Sequence, residues 1–395
     1  MSAQQPQAKR SWTAPLKVIG RSVAVPLLAV ITALLIGALL IIITDTTVIT
    51  AFGESVGQGF KRAWEVISVA YGAFFFGAFG DLYHFTETLR IATPYIFAGL
   101  AVAVGFQGGL FNVGAEGQYF IGGLTSVYVG YSITGLPWFI HLPLALLAGA
   151  AGGAIWAGIV GLLKAKTGAH EVINTIMMNY IAYRLAEFML DVGGPMARPG
   201  YRPVSPEIQP SAYLPQFFPS QPAIRFNVGF FIALAAAVLV WWLLFKTTLG
   251  YEIRTVGQNP RAARYAGISV PRTIFITMAL SGALAGLAAP MDILGVIHFM
   301  PNAFAAGYGF DAIALALLGN SHPAGVVVAS LLFGALRAGA SNMQGVARIP
   351  IDITSVLQGL IIVFIAAPAI IRALYRLRTP EEGEGLVTTR GWGQV

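Results

Sequence analysis

The 395-residue chain contains no cysteine. That excludes disulfides and thiolate metal sites, and on its own it says nothing about compartment. Charge is also scarce. Asp, Glu, Lys and Arg make up 10% of the residues, against about 25% in an average soluble domain. A chain of this size with so little charge cannot cover a water-facing surface. No Walker A pattern, nucleophile–base constellation or metal-ligand cluster occurs along it. The pair His170-Glu171 lacks a second His at the spacing a zinc helix needs. Gly307-Tyr-Gly-Phe-Asp-Ala312 loosely imitates a dinucleotide fingerprint, but no strand–helix–strand setting surrounds it. The residues offer no covalent chemistry, so any ATP hydrolysis has to occur in another chain.

What the sequence does have is apolar. It is 56% hydrophobic with a mean hydropathy of +0.72, and its 46 glycines suit closely packed transmembrane helices. The expected fold is all-α, a polytopic helical membrane protein. A span needs about 20 apolar residues. Candidates are Val23–Ile43, Ile91–Phe106, Tyr119–Tyr131, Leu142–Leu163, Val172–Leu190, Phe226–Phe245, Thr273–Leu294, Gly309–Leu318, Ala324–Ala340 and Ile353–Ile371. The first is too long for the h-region of a signal peptide and no small-residue cleavage pattern follows, so it reads as uncleaved. Gly309–Leu318 is short enough to be broken or re-entrant. Trp64–Phe79, flanked by Lys61, Arg62 and Asp81, reads as an interfacial helix with its aromatics at headgroup level.

The Lys and Arg residues set the orientation. With the N-terminus inside, fifteen of the 24 fall inside and seven outside, while Arg184 and Arg337 lie within spans. This bias predicts N-in, C-in and an even number of spans, about ten. The expected divisions are a cytoplasmic N-terminal tail, 1–22, and a first span, 23–43. An external segment with the interfacial helix follows, 44–88. The first part of the membrane core, 89–245, carries a proline-rich external loop, 191–225. A cytoplasmic loop, 246–272, leads to the second part, 273–371, and to a cytoplasmic tail, 372–395.

The 246–272 loop is polar and basic, with Arg254, Arg261, Arg264 and Arg272. Asn259 suits an N-cap, Pro260 the first helical turn, and Gly267 a stop. A short helix there would offer a surface that a soluble partner could push or pull.

Polar residues at membrane depth are the other candidates. Gly105–Gln118 sets five glycines around Asn112, Glu116 and Gln118. It is either a broken-helix element beside a transport path or a tight cytoplasmic turn. Asn174 and Asn179 are five apart, so they do not share a helix face, and either can line a pathway or join helices. Arg184 and Glu187 are three apart and can pair. Asp311, alone in its apolar run, is a helix N-cap or a lining group.

Four segments in order carry a resemblance: GLFNVGAEGQ (Gly109–Gln118), HEVINTIMMNYIA (His170–Ala182), TVGQNPRAARYAGISVPR (Thr255–Arg272) and GYGFDAIALALLGNSHPAG (Gly307–Gly325). Together they resemble an ABC importer permease of the branched-chain amino acid/ribose type, in its nucleoside branch linked to basic membrane lipoproteins. The likeness covers about residues 88–371. It implies a second, homologous permease, an external substrate-binding lipoprotein and a cytoplasmic ATP-binding subunit, usually two fused nucleotide-binding domains in this branch. ATP and Mg would be bound by that subunit, with no cofactor in this chain. Nucleic acid is not an expected partner, and membrane lipid is. Gly257–Ile268 matches the family's coupling element, and Gly257, Asn259, Pro260, Ala262, Ala263, Gly267 and Ile268 are its expected contacts. Asn112, Glu116, Gln118, Asn174, Asn179 and Asp311 are the candidate pathway residues. Outside the resemblance, an ion-coupled carrier using Asp311 or Glu116, a permease for sugars or branched-chain amino acids, and a membrane scaffold are the competing readings.

Overall fold

Long apolar runs with hydrogen-bonding satisfied inside each segment can only be helices in a bilayer, and helices are what the chain forms. A computed structural model describes residues 13–200, 202–302, 304, 307–349 and 351–376. The N-terminal residues before Thr13 and the expected tail from 377 onward lie outside the described residues. The helices are α1 (Thr13–Thr44), α2 (Thr46–Glu54), α3 (Val56–Phe79), α4 (Leu82–Gln107), α5 (Ala115–Ser132), α6 (Trp138–Thr167), α7 (Glu171–Leu190), α8 (Gly229–Lys246), α9 (Thr248–Gln258), α10 (Pro260–Tyr265), α11 (Val270–Asp292), α12 (Tyr308–Leu318), α13 (Pro323–Ala347), α14 (Ile351–Ala366) and α15 (Pro368–Leu374). Every candidate span coincides with one of them or, for the last, with α14 and α15. Among the described residues six are long and apolar enough to cross a membrane: α1, α4, α6, α8, α11 with its π turn, and α13. The protein is an all-helical, polytopic membrane protein. The interfacial candidate is the later part of the 24-residue α3, which is not among those six.

The chain divides into two units. In one, the described residues up to Gly72 join those from Met343 to Arg376. There α1 packs on α14, with Gly37 against Leu357. The Tyr71 hydroxyl donates to the Leu34 carbonyl, and the Thr32 and Tyr375 hydroxyls meet at 3.0 Å. Asp45 caps α2 by accepting from the Thr47 and Val48 N–H groups. α1 starts ten residues before the expected span: Pro15 falls in its first turn, where proline is tolerated, and Gly20 costs only about 1 kcal/mol.

The second unit, Ala73–Asn342, is built around α4, buried without interruption from Ile91 to Gly105. α11, α12 and α8 pack on it. Against α11 stand α5 and α6, and the seam between these three helices is backbone on backbone. Gly122 meets the Gly286 main chain, Gly153 meets Gly282 and Gly286, and Gly149 meets Gly286 and Gly122. A methyl group at Gly122, Gly153 or Gly282 would fall inside the neighbouring main chain. Small residues of this kind let helices in a bilayer approach closely, where no hydrophobic force drives them together.

Among the described residues, the proline-rich segment 191–225 has no regular helix beyond one 3-10 turn, Pro210–Ala212, as proline forbids. It satisfies its backbone by lying along the segment after α11. Leu214 N–H donates to Leu294 O at 2.9 Å, Ile208 N–H to His298 O at 3.0 Å and Ser205 N–H to Met300 O at 2.9 Å.

Candidate functional site

The segment 246–272 holds two helices rather than one. α8 ends at Lys246, and Thr247 caps α9 by accepting the Gly250 N–H at 3.1 Å. α9 buries Ile253 and Val256. Arg254 donates to the Leu244 carbonyl at 3.0 Å, with its guanidinium 5.1 Å from the Phe245 ring centre, so this arginine is a strut as well as a charge. Asn259 closes α9 and opens α10, its Oδ1 accepting from the Arg261 and Ala262 N–H groups at 3.0 Å. Gly267, at φ +82°, stops the chain as expected. Ala263 does not face outward. It is fully buried with Val256 and Val270, edged by Ile268 and Ile274, and so fastens α10 to the body. The exposed face is Pro260, Arg261, Ala262 and Arg264 with Tyr265, which is 95% exposed. α9 escaped the sequence reading because an 11-residue helix with Ile253 and Val256 as its buried large side chains gives too short an apolar period to read.

Gly257 faces the turn after α4. A side chain there would strike the Gln107 carbonyl and Gly108. Across the contact Gly109 adopts φ +69°, and a Cβ on it would lie 2.9 Å from the Gly257 Cα. Only glycine fits both the left-handed conformation and the close approach. The 246–272 segment therefore bears directly on the turn between α4 and α5.

Beyond that turn the chain folds back into the protein before α5 begins. Leu110 N–H returns to the Gly105 carbonyl at 2.9 Å. Asn112 donates to Gln118 Oε1 and to Ser281 Oγ, both at 2.8 Å, and its Oδ1 accepts from Gly114 and Gln118. Ser281 in turn donates to the Ala101 carbonyl, six residues before the end of α4. Asn179 of α7 accepts from the Gly117 N–H at 2.8 Å and donates to the Val113 carbonyl at 2.9 Å. Asn112, Gln118 and Asn179 are all buried. Irregular backbone at membrane depth requires this kind of internal satisfaction, and the geometry is that of the broken helix. Asn174 stands apart, its amide nitrogen buried with no partner among the described residues.

Glu116 joins a second interruption. Its carboxylate accepts from the Gly307 N–H at 2.8 Å and the Gly309 N–H at 2.6 Å, supplying α12 with an N-terminal cap from some 190 residues away. Asp311 is thus in the first turn of α12 and is not its N-cap. It accepts from the Tyr95 hydroxyl at 2.7 Å. Arg337 of α13 donates to that same hydroxyl at 2.6 Å and lies 3.9 Å from Asp311 Oδ2. α12 has 11 residues, about 16 Å of helix, too short to span. It runs alongside the second half of α4. Tyr95 meets Tyr308 and Asp311, Gly99 meets Leu315, and Gln107 reaches the Ser321 carbonyl. Two helices, α5 and α12, thus begin inside the protein with their N-termini linked by Glu116.

Toward α4's other end, Arg90 pairs with Glu87 at 2.6 Å and with Asp292 at 3.0 Å, and Arg225 pairs with Glu87 at 3.1 Å. This ties α4, the end of α11 and the proline-rich segment together. Next to it His298, at φ +63°, stacks on Tyr213 with ring centres 3.7 Å apart. Burial pushes the His298 imidazole below its ordinary value, against the opposing pull of Glu207. Arg184 and Glu187 pair at 2.5 Å on an exposed face of α7, as their spacing predicts.

Comparison with known proteins agrees with this architecture. Residues 84–366 match the family described as branched-chain amino acid transport system / permease component. The chain is 41% identical over 352 residues to a guanosine ABC transporter permease protein of Bacillus subtilis, covering 88% of this chain and 94% of that one. It is 34% identical over 359 residues to a nucleoside ABC transporter permease protein of Lactococcus lactis, covering 90% and 93%. To a glucose ABC transporter permease protein of Haloferax volcanii it is 36% identical over 304 residues, covering 75% and 79%. No solved structure matches it significantly. The chain belongs to the branched-chain amino acid transport system / permease component family, as the non-catalytic, membrane-spanning subunit of an ABC importer.

Proposed function

We propose that this permease imports nucleosides by alternating access, driven by a separate ATPase. The observation that carries the substrate class is the 41% identity, over nearly the whole length of both chains, to a permease for guanosine. In this reading about ten spans run N-in and C-in, and the segment 246–272 is cytoplasmic. α10 docks on an ATP-binding subunit, which holds ATP and Mg. A homologous permease completes the path, and an external lipoprotein delivers solute.

Support for the drive comes from contact geometry. The exposed face of α10 is the part a partner can grip, and buried Ala263 holds α10 to α9. Gly257 then passes displacement to Gly108–Gly109. The Asn112, Gln118 and Asn179 network stands directly behind that turn, and Glu116 reaches from it to α12. A partner that favours one arrangement of this chain of contacts shifts the population of the whole. Asn112, Glu116, Gln118 and Asn179 act here as transmission and alignment for the path, with Asn174 and Asp311 nearer its surface.

The test is uptake in cells or proteoliposomes containing the full set of subunits. Labelled guanosine should accumulate only with ATP, and the ATPase should purify with the permease. Uptake that persists without ATP in a proton gradient would overturn the reading. A second solute class has its own support in the 36% identity to a glucose permease. Glucose that competes with guanosine uptake at equal concentration would favour a sugar path instead.

A further inference from the structure

Tyr95 is the fourteenth of the 26 residues of α4, about 20 Å from its start and 18 Å from its end at 1.5 Å per residue. Whatever the orientation of the chain, groups bonded to Tyr95 sit near the bilayer midplane. Two of them carry charge. Side-chain exposure is 37% for Arg337 and 21% for Asp311. A partly exposed ion pair at that depth does not face hydrocarbon, because charged side chains inside a membrane turn toward protein or a water-filled cavity. Phe310, beside Asp311, is also exposed.

The surroundings are those of a place a polar solute visits. Tyr308, Tyr119 and Phe304 form one aromatic group with Tyr95, with centroid separations of 4.6 Å (Tyr95–Tyr308), 5.6 Å (Tyr119–Tyr308) and 5.4 Å (Tyr119–Phe304). The Arg337 guanidinium lies 5.0 Å from the Tyr308 ring centre. The Tyr119 hydroxyl is fully buried and has no hydrogen-bond partner among the described residues. Leaving such a group unpaired is costly. Both interrupted helices begin here, which is where non-helical backbone at membrane depth lines a cavity.

We infer that Asp311 and Arg337, held by Tyr95, are the midplane contact for an uncharged, hydroxyl-bearing solute, a nucleoside on the reading above. Asp311 accepts from the solute's hydroxyl or N–H groups. Arg337 donates to its carbonyl or ring-nitrogen acceptors. The pair is close to neutral, so it serves a neutral solute without holding an ion in place.

The absence of native cysteine makes the chain directly suitable for single-cysteine labelling. In the assembled transporter, a membrane-impermeant thiosulfonate should react with Arg337→Cys and Phe310→Cys. It should not react with Val328→Cys, which is nine residues from Arg337 and so half a turn round α13. Guanosine should slow labelling of the first two severalfold. In a second measurement, Asp311→Asn and Tyr95→Phe should raise the KM for uptake by about tenfold, as expected for a lost charge-assisted hydrogen bond, with a smaller change in kcat. Arg337→Cys that labels no faster than Val328→Cys would overturn the inference, and so would a fall in kcat with KM unchanged. If the wild type takes up no nucleoside, the substrate assignment fails. The labelling contrast between Arg337→Cys and Val328→Cys is read without transport and tests the exposure on its own.

Discussion

Single residues carry much of the mechanism because each sits where nothing else fits. Gly257 is the sharpest case. Gly257→Ala would drive a methyl into the Gln107 carbonyl, and overpacking of this kind costs about 1–3 kcal/mol. The expected outcome is a transporter that still hydrolyses ATP but moves several times less solute per ATP, measured by paired uptake and phosphate-release assays. An unchanged ratio would remove Gly257 from the drive. His298 makes a prediction about pH. Its native pKa is depressed by burial, so the stability it contributes is fully present above its ordinary value of about 6.5 and is lost as pH falls below it. Protection factors for amide exchange at Ser205, Ile208 and Leu214, corrected for the intrinsic rate at each pH, should therefore fall on acidification. His298→Asn, which tolerates a positive φ, should flatten that dependence.

At the level of elements, α12 is the least self-sufficient. It is short, begins after a left-handed Gly307 and receives its cap from α5. Glu116→Ala leaves the buried Gly309 N–H and the partly buried Gly307 N–H unpaired, at about 1–3 kcal/mol for the buried one. Local proteolysis around 300–320 in detergent should increase, while the α5–α6–α11 block keeps its protection. Glu116→Gln should fall between the two. α10 is the opposite kind of element, fastened inside and bare outside. An exposed tyrosine that becomes buried on docking is the sort of residue that dominates an interface. Tyr265→Ser should weaken co-purification of the ATPase by about tenfold or more, and intact co-purification would place the contact elsewhere.

The cap and stop of α10 were legible because they are local. Asn, Pro and Gly act on their immediate neighbours, and the structure puts them where their chemistry predicts. Ala263 was not legible in the same way, since small residues suit both a docking face and a buried seam, and only the packing of Val256 and Val270 separates the two. The polar knot could be seen as a cluster of Asn112, Glu116 and Gln118, but its partners could not. Ser281 and Gly307 lie 169 and 191 residues from Asn112 and Glu116, and no local pattern announces such a pairing. Arg337 was visible as a charge inside a span. Its meaning came only with Tyr95 and Asp311 beside it.

For the whole molecule, the distribution of Lys and Arg is the long-range signal. It predicts that a fluorescent reporter fused after Val395 lights up in the cytoplasm, and that a tag inserted near Arg198 is reached by impermeant reagents from outside. The opposite result would reverse every loop and remove α10 from reach of any ATPase. The seam of glycines between α5, α6 and α11 sets another condition on how the protein works. Such a seam has no rotamers to reshuffle, so it cannot yield by degrees. It holds its register or it parts. The three helices thus behave as a single stiff plate, and the travel needed to open and shut a path must be taken up at the plate's edges, in the turns where α5 and α12 begin.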